Sequence, residues 1–249
     1  MSTYRDMGIV LKVRGLRGDD RQYVVFTESH GKVSLLAKGT RKIGSKMSPH
    51  MGAFGVVDLM VAKGRQMDRL AGANLSLSFR QVAVSLERTA IVQSLLLAVD
   101  SMTRWELPEP RIFELLLEFL TTMDCDGDIH DRHPIFNAAM IKLLDVLGFG
   151  LEIDVCVDCR QPIGFDGNAL NVLRGGIECK NCRSGPAPGI MGDTVKVLRF
   201  LRRERLSQAG LLRLTDQVRD QVAFIVDVLV TSNLEARFDP LQYMSSVRI

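Results

Sequence analysis

The sequence predicts an α+β protein: a small amino-terminal β-barrel, then a helical domain carrying an inserted four-cysteine zinc ribbon. Three observations carry this reading. Short β-branched or alternating runs fill about the first 80 residues with no helical stretch between them. After Arg80 the apolar spacing changes from about two to about 3.6. Cys156, Cys159, Cys179 and Cys182 form two C-x2-C pairs separated by nineteen residues. With 249 residues, 46% apolar and 24% charged, the chain can build two modest domains. We place them at 1–80 and 81–249, with the metal-binding insertion at about 153–186.

The strands expected are 8–14, 22–27, 32–37, 54–61 and 69–77, each bounded by turns rich in Gly, Asp, Ser or Lys. Ser29, His30 and Gly31 separate the second and third by a hairpin turn. Five short strands without a helix are the inventory of a Greek-key barrel, of which the oligonucleotide-binding (OB) barrel is the commonest. The long connection 38–53, rich in Gly, Lys and Arg, predicts a flexible basic loop. Helices are expected over 82–105, 110–123 and 134–147, with Pro110 and Pro134 in first turns that tolerate a missing N–H. Gly148 stands where a left-handed cap ends the third. Asp193 is the expected cap of a helix over 194–201, and a last helix runs from Thr215 or Asp216 through Ser232.

Two C-x2-C pairs at this separation let each short loop present two thiolates to one ion, and four sulfurs close a zinc tetrahedron with no position open for water or substrate. One structural zinc ion is therefore expected, bound by Cys156, Cys159, Cys179 and Cys182. Two disulfides or four separate buried thiols are the alternatives. The polar opening Met1-Ser-Thr-Tyr-Arg-Asp6 does not read as a secretory signal, so a reducing cytoplasm is expected and disulfides are disfavoured. Cys125 lies outside the pattern and is expected to be a lone buried or half-buried thiol.

Charge is distributed unevenly. Residues 1–80 hold 14 Lys or Arg against 6 Asp or Glu, a net of +8; the remainder holds 18 against 23, a net of −5. A basic amino-terminal third suggests a polyanionic partner, nucleic acid first, against the alternative of a lysine-rich solvated surface. In the basic loop Lys38, Arg41, Lys42 and Lys46 supply cations for phosphates, with Gly39 and Gly44 giving backbone freedom. The order Gly44-Ser45-Lys46 does not match the phosphate-binding G-K-[ST] signature, which excludes an ATPase site there. Lys12, Arg14, Lys63 and Arg65, with Arg17, Arg21 and Arg69, would line the same strand ends and loops of a small barrel. Among aromatic candidates for stacking, Tyr4, Tyr23, Phe26, Phe54 and Phe79 read mostly as core, so binding should lean on phosphates.

Other chemistry is poorly supported. A calcium loop starting at Asp124 fails because Ile129 and Ile135 occupy the positions that need Gly and Glu. An acidic interhelical loop, with His133 capping the next helix, is the better account. No Ser/His/Asp set, HExxH motif or paired carboxylates point at a reaction, and the longest apolar runs are short and broken by charge, as in core helices.

The segments 8–12, 26–32 and 36–42 with Ser45 and Lys46, the strand at Phe54 and the later cysteine pairs together resemble the bacterial DNA repair protein family RecO, in order and over nearly the whole chain. The resemblance implies a non-enzymatic recombination mediator that binds single- and double-stranded DNA, anneals complementary strands and, with RecR, helps place RecA on strands coated by single-strand-binding protein. It also implies a cytoplasmic, nucleoid-associated protein with no membrane partner. Lys38, Arg41, Lys42 and Lys46 would be DNA contacts and the four cysteines zinc ligands; some members lack these cysteines, in keeping with a structural role. Where the family often carries a Lys-Ser pair after the last long helix, this chain reads Glu235-Ala-Arg-Phe-Asp-Pro240. Arg199, Arg202, Arg203 and Arg205 could supply a substitute basic rim for the acidic tail of single-strand-binding protein, against the alternative of a solvated helix end. The competing classes are an RNA-binding or translation-associated zinc-ribbon protein and a metal-dependent nuclease.

Overall fold

The structure is a computed structural model and describes residues 2–42, 45, 47–52, 54–127, 129–183 and 187–233. The chain divides into two compact units, with the boundary between Cys125 and Asp126. In the first, β1 (Thr3–Gly15), β2 (Arg21–Thr27), β3 (Gly31–Ala37), β4 (Gly55–Ala62) and β5 (Asp68–Ser78) close into a barrel in the order β1-β2-β3-β5-β4. Neighbours pair antiparallel except β3 with β5. This is the OB-fold.

The long first strand makes closure possible. β1 pairs with β2 from Gly8 onward and with β4 from Thr3 to Ile9, so it serves two neighbours at once. Gly8 sits where both ladders overlap, and a Cβ there would come within 2.5 Å of Val25 Cγ1 and 2.7 Å of Leu59 Cδ1. Only glycine lets the strands approach so closely. Inward positions alternate along the strands: Val10, Tyr23, Val25, Val33, Leu35, Ala37, Val57, Leu59 and Val61 fill the barrel, with Met51 and Leu70. Met51 comes from a short 3-10 turn, Ser48–Met51, inside the connection read from sequence as a flexible loop. Tyr23 and Phe26 on β2 are buried as expected, and so are Phe54 and Phe79, which stand just outside β4 and β5.

The same unit holds α1 (Arg80–Val84), α2 (Leu86–Met102) and α3 (Pro110–Asp124). The single helix expected over 82–105 is therefore two. Ser85 adopts extended geometry between them, and its side chain accepts a hydrogen bond from Arg88 N at the start of α2. Apolar spacing runs on across the break because a cap residue interrupts backbone geometry without interrupting the pattern. α2 also stops at Met102, leaving Trp105 outside the helix.

The second unit contains α4 (His133–Val146), a sheet of β6 (Asn168–Asn171), β7 (Gly176–Glu178) and β8 (Gly189–Ile190) in the order β7-β6-β8, then α5 (Gly192–Arg203), α6 (Leu206–Ala209) and α7 (Asp216–Asn233). Gly148 has φ +83°, the left-handed stop expected. Two cap assignments change. Arg132, not His133, holds the cap position of α4, and Asp131 Oδ1 accepts from His133 N at 2.9 Å. At α5 the cap is Met191, whose N–H donates to Gln221 Oε1 at 2.9 Å, and Asp193 lies within the first turn. Among the described residues no helix is long and apolar enough to cross a membrane.

Candidate nucleic-acid interface and metal centre

Residues 16–20 join β1 to β2, and residues 38–42 follow β3. Register places them together: Gly15 pairs with Arg21, and Arg21 with Ala37. Hydrogen bonds then lock the two turns. Gly39 N donates to Asp20 Oδ1 at 2.8 Å, Arg41 N donates to Asp19 O at 2.9 Å, and Thr40, buried among the exposed Lys38, Arg41 and Lys42, bonds Ala37 O through its hydroxyl. Gly39, at φ +64°, supplies the left-handed step that lets the chain turn back. The Asp20 carboxylate and the Asp19 carbonyl are thus engaged by backbone N–H groups, while Arg14, Arg17, Lys38, Arg41 and Lys42 stand exposed on one barrel end together with the exposed acid Asp19. Among the described residues none of these five has a carboxylate within ion-pair distance.

Two other expected residues lie on the β4–β5 turn. Arg65 is exposed; Lys63 pairs with Asp68 at 3.2 Å and lies over the Tyr4 ring at 5.2 Å. That turn leads into Asp68 and Arg69, which pair with Leu35 and Leu36 just before Lys38. Lys12 is not brought to this group: it faces α2, 3.8 Å from Asp100 Oδ2. Lys46 lies outside the described residues, as does the segment 235–240.

Sequence reasoning passed over Lys32 and Trp105. Lys32 is buried; its Nζ donates to Thr103 O at 2.7 Å, lies 3.6 Å from Asp100 Oδ1, and sits 4.6 Å from the centre of the Trp105 ring. Burial lowers its pKa, an effect opposed by Asp100. No one-dimensional signal marks a strand lysine as the cap of a helix seventy residues later.

In the second unit Cys156, Cys159, Cys179 and Cys182 converge, their sulfurs all within 4.8 Å of one another and able to hold a metal ion. The first pair sits on a turn in which Arg160 N donates to Cys156 O and Arg160 takes φ +59°. The second follows β7 directly, with Cys182 N and Arg183 N donating to Cys179 O. β7 meets the first turn through Val157 N and Ile177 O at 3.0 Å. All four thiols are free, and Cys159 Sγ and Cys179 Sγ are 3.7 Å apart, far beyond the roughly 2.05 Å of a disulfide. Burial would raise the pKa of Cys156, but backbone N–H groups of Cys179 and Cys159 and the neighbouring thiols outweigh it and bring it down to about 7. Cys182, facing the sulfurs of Cys159 and Cys179, is pushed up to about 12. The last thiol resists ionising because three sulfurs already crowd it; a cation removes that resistance.

The arginines of α5 are engaged internally. Arg199 bonds Ile153 O at 2.8 Å and Asp154 at 3.0 Å, Arg202 bonds Asp145 Oδ2 at 2.8 Å and Leu151 O at 3.1 Å, and Arg203 reaches Asp154 at 3.1 Å. They tie α5 to the strand of chain entering the ribbon.

A closed five-stranded barrel with one cationic end, extended by helices and a ribbon whose four thiols could hold a metal ion, defines an OB-fold protein with a four-cysteine ribbon. Comparison with known families is specific. Residues 1–79 match the family described as recombination protein O N terminal, and residues 84–240 match recombination protein O C terminal. The DNA repair protein RecO of Frankia casuarinae is 31% identical over 205 residues, covering 82% of this chain and 83% of that protein. That of Clostridium perfringens is 24% identical over 249 residues, spanning 100% of both. The chain belongs to the RecO family of DNA repair proteins.

Proposed function

We propose that this chain is a non-enzymatic recombination mediator. It binds single- and double-stranded DNA through the barrel, anneals complementary strands and, with RecR, helps place RecA on DNA coated by single-strand-binding protein. The observation that carries the reading is the hydrogen-bonded pair of turns after β1 and β3, which gathers five exposed cations, Arg14, Arg17, Lys38, Arg41 and Lys42, none in an ion pair among the described residues, against Asp19 and Asp20. Lys63 and Arg65 on the β4–β5 turn extend this set, Lys46 is assigned to it from the sequence alone, and Lys12, facing Asp100, contributes less. Cations held on a rigid barrel end bind phosphates of any sequence and release condensed counterions. Once the phosphates of two strands are neutralised, the repulsion between them falls and base pairing proceeds without a covalent step.

The ribbon binds one structural zinc ion. A tetrahedral site with Zn–S bonds of about 2.3 Å has sulfurs about 3.8 Å apart, which fits the observed 3.7 Å between Cys159 and Cys179. With four sulfurs bound, no position is left for water, so the ion braces the fold and takes no part in DNA chemistry. The testing experiment is annealing of complementary strands, bare or precoated with single-strand-binding protein, at two salt concentrations and with magnesium or manganese present. The mediator reading predicts duplex without cleavage, formed faster at low salt; product fragments, or no acceleration of annealing at either salt, overturn it.

A further inference from the structure

We infer that Trp105 is a base-stacking platform at the far end of the DNA track, taking an unpaired nucleobase on its open face. This rests on reading the barrel as the DNA-binding element. Trp105 is the chain's single tryptophan, and it is 53% exposed while Tyr23, Phe26, Phe54 and Phe79 are buried. It belongs to no helix or named strand, yet it is held firmly. Its backbone bridges to Lys32 on β3, Glu106 N donates to Lys32 O at 2.9 Å, and Glu106 takes the left-handed conformation at φ +54°. Gly31, at φ +67°, permits the contact: a Cβ there would lie 2.1 Å from Leu107 O. Beneath the ring the buried Lys32 ammonium is fixed by Thr103 O and Asp100, so a cation takes one face and the opposite face is the one assigned to the base.

Direction along the strand assigns the ligand. Val33, Leu35 and Ala37 point into the barrel, so Lys32, Ser34 and Leu36 face outward. Ser34, Leu36 and Gln22 are part-exposed, with Gln22 donating to Ser34 Oγ at 2.8 Å, whereas Val24 and Phe26 on the outward side of β2 are buried, so the accessible strip follows β3. The outer face of β2 and β3 is the surface on which OB barrels take oligonucleotides. Its accessible part here is the strip along β3, from Trp105 above the buried Lys32, past Ser34 and Leu36, to the cationic turn at Lys38. Six residues of strand span about 20 Å, or about six phosphates at the duplex spacing of roughly 3.4 Å per strand, within the roughly 4–16 nucleotides covered by one OB barrel. Arg104 and Glu106 flank the indole with opposite charges, both exposed. That end of the track therefore has no net pull on phosphate and meets the strand through a base, whereas the Lys38 end meets it through the backbone.

The test uses the full chain with a labelled thymine oligonucleotide of about 15 nucleotides and an abasic strand of equal length. Label anisotropy reports the complex, and indole emission reports Trp105 alone because no other tryptophan is present. We expect emission to quench as the thymine strand binds and to stay nearly constant with the abasic strand. Trp105→Ala should weaken thymine binding about 5- to 150-fold, with the salt slope unchanged because no phosphate contact is lost; Trp105→Phe should restore much of the affinity. Thermal melting followed by circular dichroism checks that both variants fold, and quenching in the unaltered protein tests the inference even if they do not. If anisotropy reports a complex while emission is unchanged, the stacking inference falls and the DNA-binding reading stands. Absence of any complex removes both.

Discussion

Neutralising Arg41 and Lys42 tests the cationic barrel end quantitatively. Five exposed cations lie there: Arg14, Arg17, Lys38, Arg41 and Lys42. If each meets one phosphate of a single strand, log K falls with log salt at about 0.7 per contact, a slope of about −3.5. The double variant Arg41→Gln, Lys42→Gln keeps three contacts and a slope of about −2.1. Raising salt from about 50 to about 200 mM should then cost the parent about 130-fold in affinity and the variant about 18-fold. At about 0.1 M salt the variant should bind about 25-fold more weakly than the parent, whatever the base sequence. Charge reversal at the same positions should weaken binding further. Stability should hardly change, because both side chains are exposed and the Arg41 guanidinium reaches only Gly18 O, at 3.5 Å. The assay is fluorescence anisotropy of a labelled single strand titrated at four or more salt concentrations. An unchanged slope and affinity would refute the assignment of these turns to phosphate binding.

Three further perturbations address the rest of the structure. Replacing Cys156 and Cys179 by Ser should abolish stoichiometric zinc, measured by atomic emission, and lower Tm; a variant that melts like the parent without metal would argue against a bracing role. Gly8→Ala forces a methyl against Val25 and Leu59 and should destabilise the first unit by about 1–3 kcal/mol in urea unfolding, an outcome contradicted by an unchanged midpoint. Tyr4 carries a pKa raised to about 12 by burial, reinforced by Asp68, Asp6 and Glu106, and its buried hydroxyl lacks a hydrogen-bond partner among the described residues. A raised tyrosine pKa favours the folded state below the unfolded value of about 10, and that contribution is lost as pH climbs through about 12. Tyr4→Phe should therefore be neutral or stabilising at pH 7 and should lose less stability than the parent between pH 10 and 12. A steeper alkaline loss in the variant would contradict the shift.

Local periodicity was enough to identify the five barrel strands and the long helices, but not the short strands β6, β7 and β8 or the single turn of α6. Alternation marked all five barrel strands, because inward residues such as Val33, Leu35 and Ala37 must recur every second position to share one core. Pro110 at a helix start and Gly148 at a left-handed stop were readable because each residue type restricts its own backbone. The missed features are those in which one residue serves a distant segment. Ser85 splits a helix without altering the apolar pattern, and Asp124 at the end of α3 accepts from Gln81 N at 2.7 Å and Val82 N at 3.1 Å to hold the start of α1.

Composition and spacing alone specified a basic amino-terminal third, a barrel-forming strand inventory and a four-thiolate cluster, since charge, alternation and short-range ligand spacing are properties of neighbouring residues. Which cations stand together was decided by barrel closure. Register set Arg21 opposite both Gly15 and Ala37, drew the 16–20 and 38–42 turns into one hydrogen-bonded pair, and left Lys12 facing Asp100. The exposure of Trp105 was likewise decided by Lys32, seventy-three positions earlier, because contacts across a closed sheet depend on strand order and leave no periodic trace in the chain.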